Sequence, residues 1–300
     1  MHYVIQENVF REHHYDLLFN AMDRLGMQYT IVRIFPFVNK IVNVKDLPEG
    51  GFNVDDLPEF VPPSKNVFVF GAIKLARIAA DRGWSPGSMM NSNHDFKVYS
   101  KHYKDNLLNY DSEILTLGSN FEWKHDEVKF IRPTKDTKSF TGQLFNEHEW
   151  KDTVKNYLHN YRSEQFNEST EIQVSTPKNI HKEIRCWVVG GKVVTASQYR
   201  LGNTVIYDDF IEPEAIEYAQ SMVDIFQLAE AFVIDVCMTD NGWKIVECGC
   251  INCAGFYKSD LQKMIFAVDD YFGKCDDCIA MHGQTGMCYC SYVRNKMLMS

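Results

Sequence analysis

Apolar and polar positions alternate in two different rhythms along this chain, and the change comes part-way. Over about the first 95 residues, short apolar runs are separated by stretches with helical spacing. Tyr3–Ile5 and Asn66–Phe70 read as strands, and Tyr29–Phe37 is β-rich, with Pro36 confining it to an edge or an end. Arg11–Leu25 places Tyr15, Leu18, Phe19, Met22 and Leu25 on one helical face, which Gly26 stops. Ile73–Asp81 reads as a second helix ended by Gly83, and Asp46–Pro63, rich in proline and glycine, reads as a loop. This order predicts a small parallel-type α/β lobe. It is expected to be scaffolding without chemistry of its own. Met89–Gly118 reads as mostly helical and linking, and from Val128 onward strands and polar turns take over. The predicted organisation is a lobe over 1–95, a main domain over 96–272 and a cysteine-rich tail over 273–300.

Two predicted hairpins place charge on sheet faces. In KEIRCWVVGGKVVTASQYR, Gly190-Gly191 is a two-residue turn that needs positive φ at both positions. Pairing Val189 with Lys192 puts Glu183, Arg185 and Trp187 on a face with Val194, Ala196, Gln198 and Arg200. Ile184, Cys186 and Val188 form the more apolar face. A solvated face with a surface Glu–Arg pair has the same pattern, and such pairs contribute little. In FVIDVCMTDNGWKIVECG, Asp240-Asn241-Gly242 fits a three-residue turn that sets Asp235 directly across from Glu247. Opposed carboxylates about 5 Å apart repel unless a cation lies between them. Magnesium accepts such oxygen ligands and brings substrate phosphates with it. A one-residue slip would separate the two acids. Asn252, shortly after, could add a neutral oxygen.

KFIRPTKDTKSFTG joins a strand end to a basic loop. Arg132 offers a planar fork of donors, and Lys135 and Lys138 offer ammonium groups suited to a polyphosphate. In isolation the segment is an exposed polar loop. Neither GxxxxGK[ST] nor GxGxxG occurs, so a nucleotide would need another architecture.

Charge and composition narrow the function classes. The chain is 45% hydrophobic and 24% charged, ordinary for a globular protein, and its formal net charge of −9 excludes a coat for nucleic acid. No apolar run approaches a membrane span, and the first residues do not read as a secretory signal. The expectation is a cytoplasmic protein whose nine cysteines are thiols or metal ligands. Cys275, Cys278, Cys288 and Cys290 have a spacing that could hold structural zinc.

The order of these parts resembles the ATP-grasp superfamily: an α/β lobe, FIRPTKDTKSFTG, EIQVSTP, EIR…VVGGKVV…YR, then Asp235 and Glu247 on successive strands. The match covers roughly residues 1–272 by element order and sequence pattern. FIRP and KSFTG are most similar to a bacterial and phage branch in which arginine replaces the first nucleotide-binding lysine. The fold implied is an α/β (α+β) ATP-grasp fold, in which a small N-terminal α/β lobe precedes a two-lobed antiparallel-sheet ATP-binding region. The resemblance also implies ATP and Mg²⁺ as cofactors, with Asp235 and Glu247 as metal ligands. Arg132 and Lys138 would hold phosphates, and Glu171–Val174 would frame adenine through backbone groups. Glu183 would join the nucleotide site, while Arg185 and Arg200 would grip the γ-phosphate and an acyl phosphate made from it. The activity implied is ligation of a carboxylate to an amine (or thiol) acceptor, which could be a peptide or protein. The alternative is a non-catalytic ATP-binding assembly factor or interaction module. One departure stands out: the superfamily usually has Glu-x-Asn where this chain reads Glu247-Cys248-Gly249.

Overall fold

The computed structural model describes residues 1–8, 11–12, 14–35, 37–134, 140–161 and 167–273. The first sheet contains β1 (His2–Gln6), β2 (Gln28–Phe35), β3 (Lys40–Asn43), β4 (Asn66–Phe70) and β5 (Ser85–Gly87) in the order β3-β2-β1-β4-β5. All neighbours are parallel except β2 and β3. Helices α1 (Tyr15–Arg24) and α2 (Ile73–Asp81) follow β1 and β4. Helix α1 starts later than its apolar spacing predicts. Arg11 and His14 have φ of 52° and 62°, and the Asn8 side chain bonds both backbone groups of Glu12, so the chain loops before it coils. Strand β3 was not expected; four residues beside a long loop carry too little pattern.

After α3 (Phe96–Tyr103) comes a small antiparallel sheet of β6 (Glu113–Thr116), β7 (Lys129–Pro133), β8 (Gln143–Phe145) and β9 (Glu171–Ser175), ordered β6-β9-β7-β8. Helix α4 (Glu147–Tyr161) covers it, packing Trp150 on Ile131, Phe145 and Ile172. The third sheet holds β10 (Ile180–Val189), β11 (Lys192–Leu201), β12 (Thr204–Asp208), β13 (Ala231–Thr239) and β14 (Gly242–Cys250), ordered β12-β11-β10-β13-β14. It is antiparallel throughout and is flanked by α5 (Pro213–Ile225) and α6 (Leu261–Phe272). Among the described residues no helix is long and apolar enough to cross a membrane.

Alternation along β10 decides how the layers stack. Ile184, Cys186 and Val188 join an apolar cluster with Tyr99 and Tyr103 of α3 and Ala215, Ala219 and Met222 of α5. Trp187 and Val189 point the other way, into a cluster with Tyr3, Phe68 and Phe70 of the first sheet and Met264, Ile265 and Val268 of α6. The first lobe therefore covers only the Trp187 end of that face. Glu183 and Arg185, on the same face, are left to form a site.

Both hairpins depart from regular register. Gly190 and Gly191 take φ of 56° and 75°, and Val189 pairs with Lys192, as expected. A bulge then sets Trp187 opposite Thr195 and Arg185 opposite Ser197. The expected grouping of Ala196 and Gln198 with Arg185 is therefore wrong: Ala196 packs with Ile184, Cys186 and Val188, and Gln198 pairs with Ile184. A second bulge returns Arg200 to Glu183. In the other hairpin the turn holds Asp240 and Asn241 alone, with Thr239 paired to Gly242, instead of the three residues expected. A bulge at Val246 absorbs the difference, and Asp235 does pair with Glu247.

Candidate active site

Asp235 sits mid-strand with both neighbours hydrogen-bonded to it, opposite Arg185 on β10 and Glu247 on β14, and it is 1% exposed. Arg185 grips both its oxygens, Nε donating to Oδ1 at 2.9 Å and Nη2 to Oδ2 at 2.7 Å. The same Nη2 lies 3.9 Å from Glu247 Oε1. From the small sheet, Arg132 of β7 donates to the other oxygen of Glu247. Two opposed carboxylates are thus matched by two guanidiniums, one from each antiparallel sheet. Burial pushes the Asp235 carboxyl up to about 6, and Arg185 keeps it from rising further, so it is ionised at neutral pH.

Around this pair the bulges bring in side chains that regular alternation does not place there. Tyr199 donates to Glu183 Oε2 at 2.5 Å and lies 3.4 Å from Asp235 Oδ2. Arg200 Nη1 donates to the other Glu183 oxygen at 2.8 Å. Burial first, then the charges of Asp235 and Glu183, raise the Tyr199 phenol. Arg185 also lies over the ring of Tyr257, 4.9 Å from its centroid, and donates Nη1 to Gly255 O at 3.3 Å. Tyr257 stacks on Tyr199 at 4.9 Å. Neither tyrosine was expected from sequence. Tyr199 is found only once the bulge is known, and Tyr257 lies on a loop with no pattern.

The structure gathers Arg132, Glu183, Arg185, Arg200, Asp235 and Glu247, and it does not gather three other expected residues. Asn252 is committed elsewhere: its oxygen accepts from Met89 N at 2.7 Å and its amide donates to Val69 O at 2.6 Å, tying the first lobe to the end of β14. It has no spare oxygen for a metal beside Glu247. The adenine frame expected at Glu171–Val174 also fails, because β9 is an interior strand. Its backbone is used in ladders to β6 and β7, Val174 is buried under α4, and the Glu171 carboxylate is held by Lys97 Nζ at 2.6 Å. Lys138 and the tail residues Cys275, Cys278, Cys288 and Cys290 lie outside the described residues.

Among the described residues no three His, Cys, Asp or Glu side chains form a metal cage. The opposed pair Asp235 and Glu247 does suit magnesium, which binds through one or two carboxylates and completes its shell with water and substrate phosphates.

A family model described as an ATP-grasp domain, the third family of its clade, matches residues 73–268, well over half the chain. The chain belongs to this ATP-grasp family. Its fold is shared by D-alanine–D-alanine ligase from Bacillus anthracis complexed with ATP, at TM-score 0.54 and 11% identity over 99% of both chains. An ATP-grasp RimK domain protein from Sphaerobacter thermophilus aligns at TM-score 0.52 and 13% identity, over 84% of this chain and 92% of the other. The D-cycloserine synthetase DcsG aligns at TM-score 0.55 and 10% identity, over 91% and 100%. Among curated proteins no sequence matches. The mixed α/β ATP-grasp architecture expected from the sequence is thus the one observed.

Proposed function

We propose that this ATP-grasp chain is an ATP-dependent ligase that joins a carboxylate to an amine through an acyl phosphate. The observation that carries the reading is the paired Asp235 and Glu247, faced by Arg185 from their own sheet and Arg132 from the opposite one. Polyphosphate entering between the sheets exchanges with these ion pairs: Arg132 turns from Glu247 to the α- and β-phosphates, in place of the usual lysine. Lys138 belongs to the same phosphate grip. Magnesium held by Asp235 and Glu247 would neutralise phosphate charge. Arg185 and Arg200 then face the γ-phosphate. Glu183 orients Arg200, and Asp235 orients Arg185.

The substrate carboxylate oxygen attacks the γ-phosphorus, the bond to the bridging oxygen breaks, and ADP leaves. The amine nitrogen then attacks the acyl carbon, phosphate departs, and the nitrogen gives up a proton. Pre-oriented guanidiniums stabilise the charge that develops in both steps.

One observation favours a second reading, a nucleotide-binding protein without turnover. Gly249 has no side chain to offer and Asn252 is hydrogen-bonded to the first lobe, so the second metal of the superfamily lacks an oxygen. Calorimetric titration of ATP with magnesium into wild type and Asp235→Asn/Glu247→Gln tests the site, with binding expected only in the wild type. ADP release that rises with an added acid and amine supports the ligase; binding with no release under any acceptor supports the second reading.

A further inference from the structure

The first lobe, expected to be scaffolding, contains a cavity of about 360 Å³ outside the C-terminal ends of β1 and β4. That volume lies in the range of small-molecule sites, roughly 300–1,000 Å³. Its position follows from topology. From β1 the chain crosses to β2 on one side, and from β4 it crosses to β5 on the other, so the strand ends diverge and leave a crevice. Gly71 permits this junction: a β-carbon there would lie 2.6 Å from that of Gln6, whose Oε1 accepts from Ala72 N at 2.9 Å.

The lining has two parts. Tyr15, Phe70 and Phe256 form an aromatic floor, with Phe256 5.9 Å from Tyr15 and 6.0 Å from Phe70 between centroids. Glu7 and Glu12 stand at the wall, with Lys74 across from them at the start of α2. Arg33 matches Glu7 with two bonds of 2.7 Å. The field inside is nevertheless negative, since after burial the charges of Glu12 and Glu7 raise the Tyr15 phenol. Carboxylates above aromatic faces recognise an ammonium on an apolar body.

The cavity also touches the proposed catalytic site. Ala254 and Phe256 line it, and Gly255 between them accepts the hydrogen bond from Arg185. A ligand against these two residues is one peptide unit from the arginine assigned to the acyl phosphate. We propose that this cavity is the acceptor site, taking a primary amine in its ammonium form on an aromatic or branched aliphatic body. This assignment rests on the ligase reading above.

The test uses the full chain without nucleotide, titrated calorimetrically at neutral pH with phenethylamine, isoamylamine, 2-phenylethanol and 3-phenylpropionate at up to millimolar concentrations. At least one amine should bind, with phenylethanol weaker than phenethylamine by about tenfold, the loss expected for a charge-assisted bond. Glu12→Gln should weaken the amine by a similar factor and leave the alcohol unchanged. No amine binding, equal binding of the alcohol, tighter binding of the acid, or indifference to Glu12→Gln overturns the proposal. Ala72→Phe, which fills the cavity from another wall, should abolish amine binding while Mg·ATP binding persists. The two readings fail separately. Amine binding by a wild type that does not bind Mg·ATP sinks the ligase and the acceptor role, while Mg·ATP binding without amine binding sinks the cavity assignment alone.

Discussion

Asp235 is nearly sealed from solvent, yet it carries a charge that Arg185 matches on both oxygens. Its carboxyl value of about 6 lies above the 3.8 of a free aspartate. The folded state therefore holds this proton more tightly than the unfolded chain. The contribution of the group to stability is complete below about pH 4 and is lost as pH rises through about 6. Urea midpoints of the wild type relative to Asp235→Asn should fall across that window; a flat or rising difference would contradict the assignment. Beside it, Tyr199 donates to a buried Glu183. Tyr199→Phe removes a hydrogen bond to a charged group and should cost about 1.5–3 kcal/mol of unfolding free energy in urea titrations. Arg200 keeps its own bond to Glu183 in that variant, so a loss confined to Tyr199 distinguishes it from collapse of the site.

The turn between β10 and β11 was legible because diglycine permits so few backbones. Its two glycines also differ in what surrounds them. A β-carbon on Gly190 would meet the Tyr271 ring at 2.7 Å, whereas on Gly191 the nearest atom is the Gln227 oxygen at 3.2 Å. Gly190→Ala should therefore destabilise by about 1–3 kcal/mol or more, combining strain and collision. Gly191→Asn should cost less, because asparagine tolerates the left-handed region and Gln227 can move. Thermal midpoints of the two variants check the order. The pairing of Asp235 with Glu247 was legible for a less direct reason. The turn is one residue shorter than predicted, and the bulge at Val246 restores the register. Bulges have no compositional signature strong enough to read. Ala196 was therefore assigned to the wrong face and Tyr199 was missed. Interior position was equally unreadable: the pattern shows that β9 is a strand, but only the sheet order shows that its backbone is already used.

At the scale of the whole chain, element order carried the fold, since an α/β lobe followed by charged hairpins has few solutions. What it could not carry was contact between distant segments. Asn252 reads as a metal ligand by proximity to Glu247, and its role as a strut to the first lobe depends on Met89 and Val69, far away in sequence. The cavity likewise combines strand ends with a loop from the opposite end of the fold. The bond from Arg132 to Glu247 spans the small and large sheets with both side chains partly open to water, 21% and 33% exposed. An exposed ion pair is screened by salt over a Debye length of about 10 Å at 0.1 M. The nucleotide-free protein should therefore breathe with ionic strength, its radius of gyration by small-angle scattering rising on addition of salt. Arg132→Met should show the wider, salt-insensitive value from the outset. A radius equal in both proteins at every ionic strength would mean that this one bond does not act as a clasp.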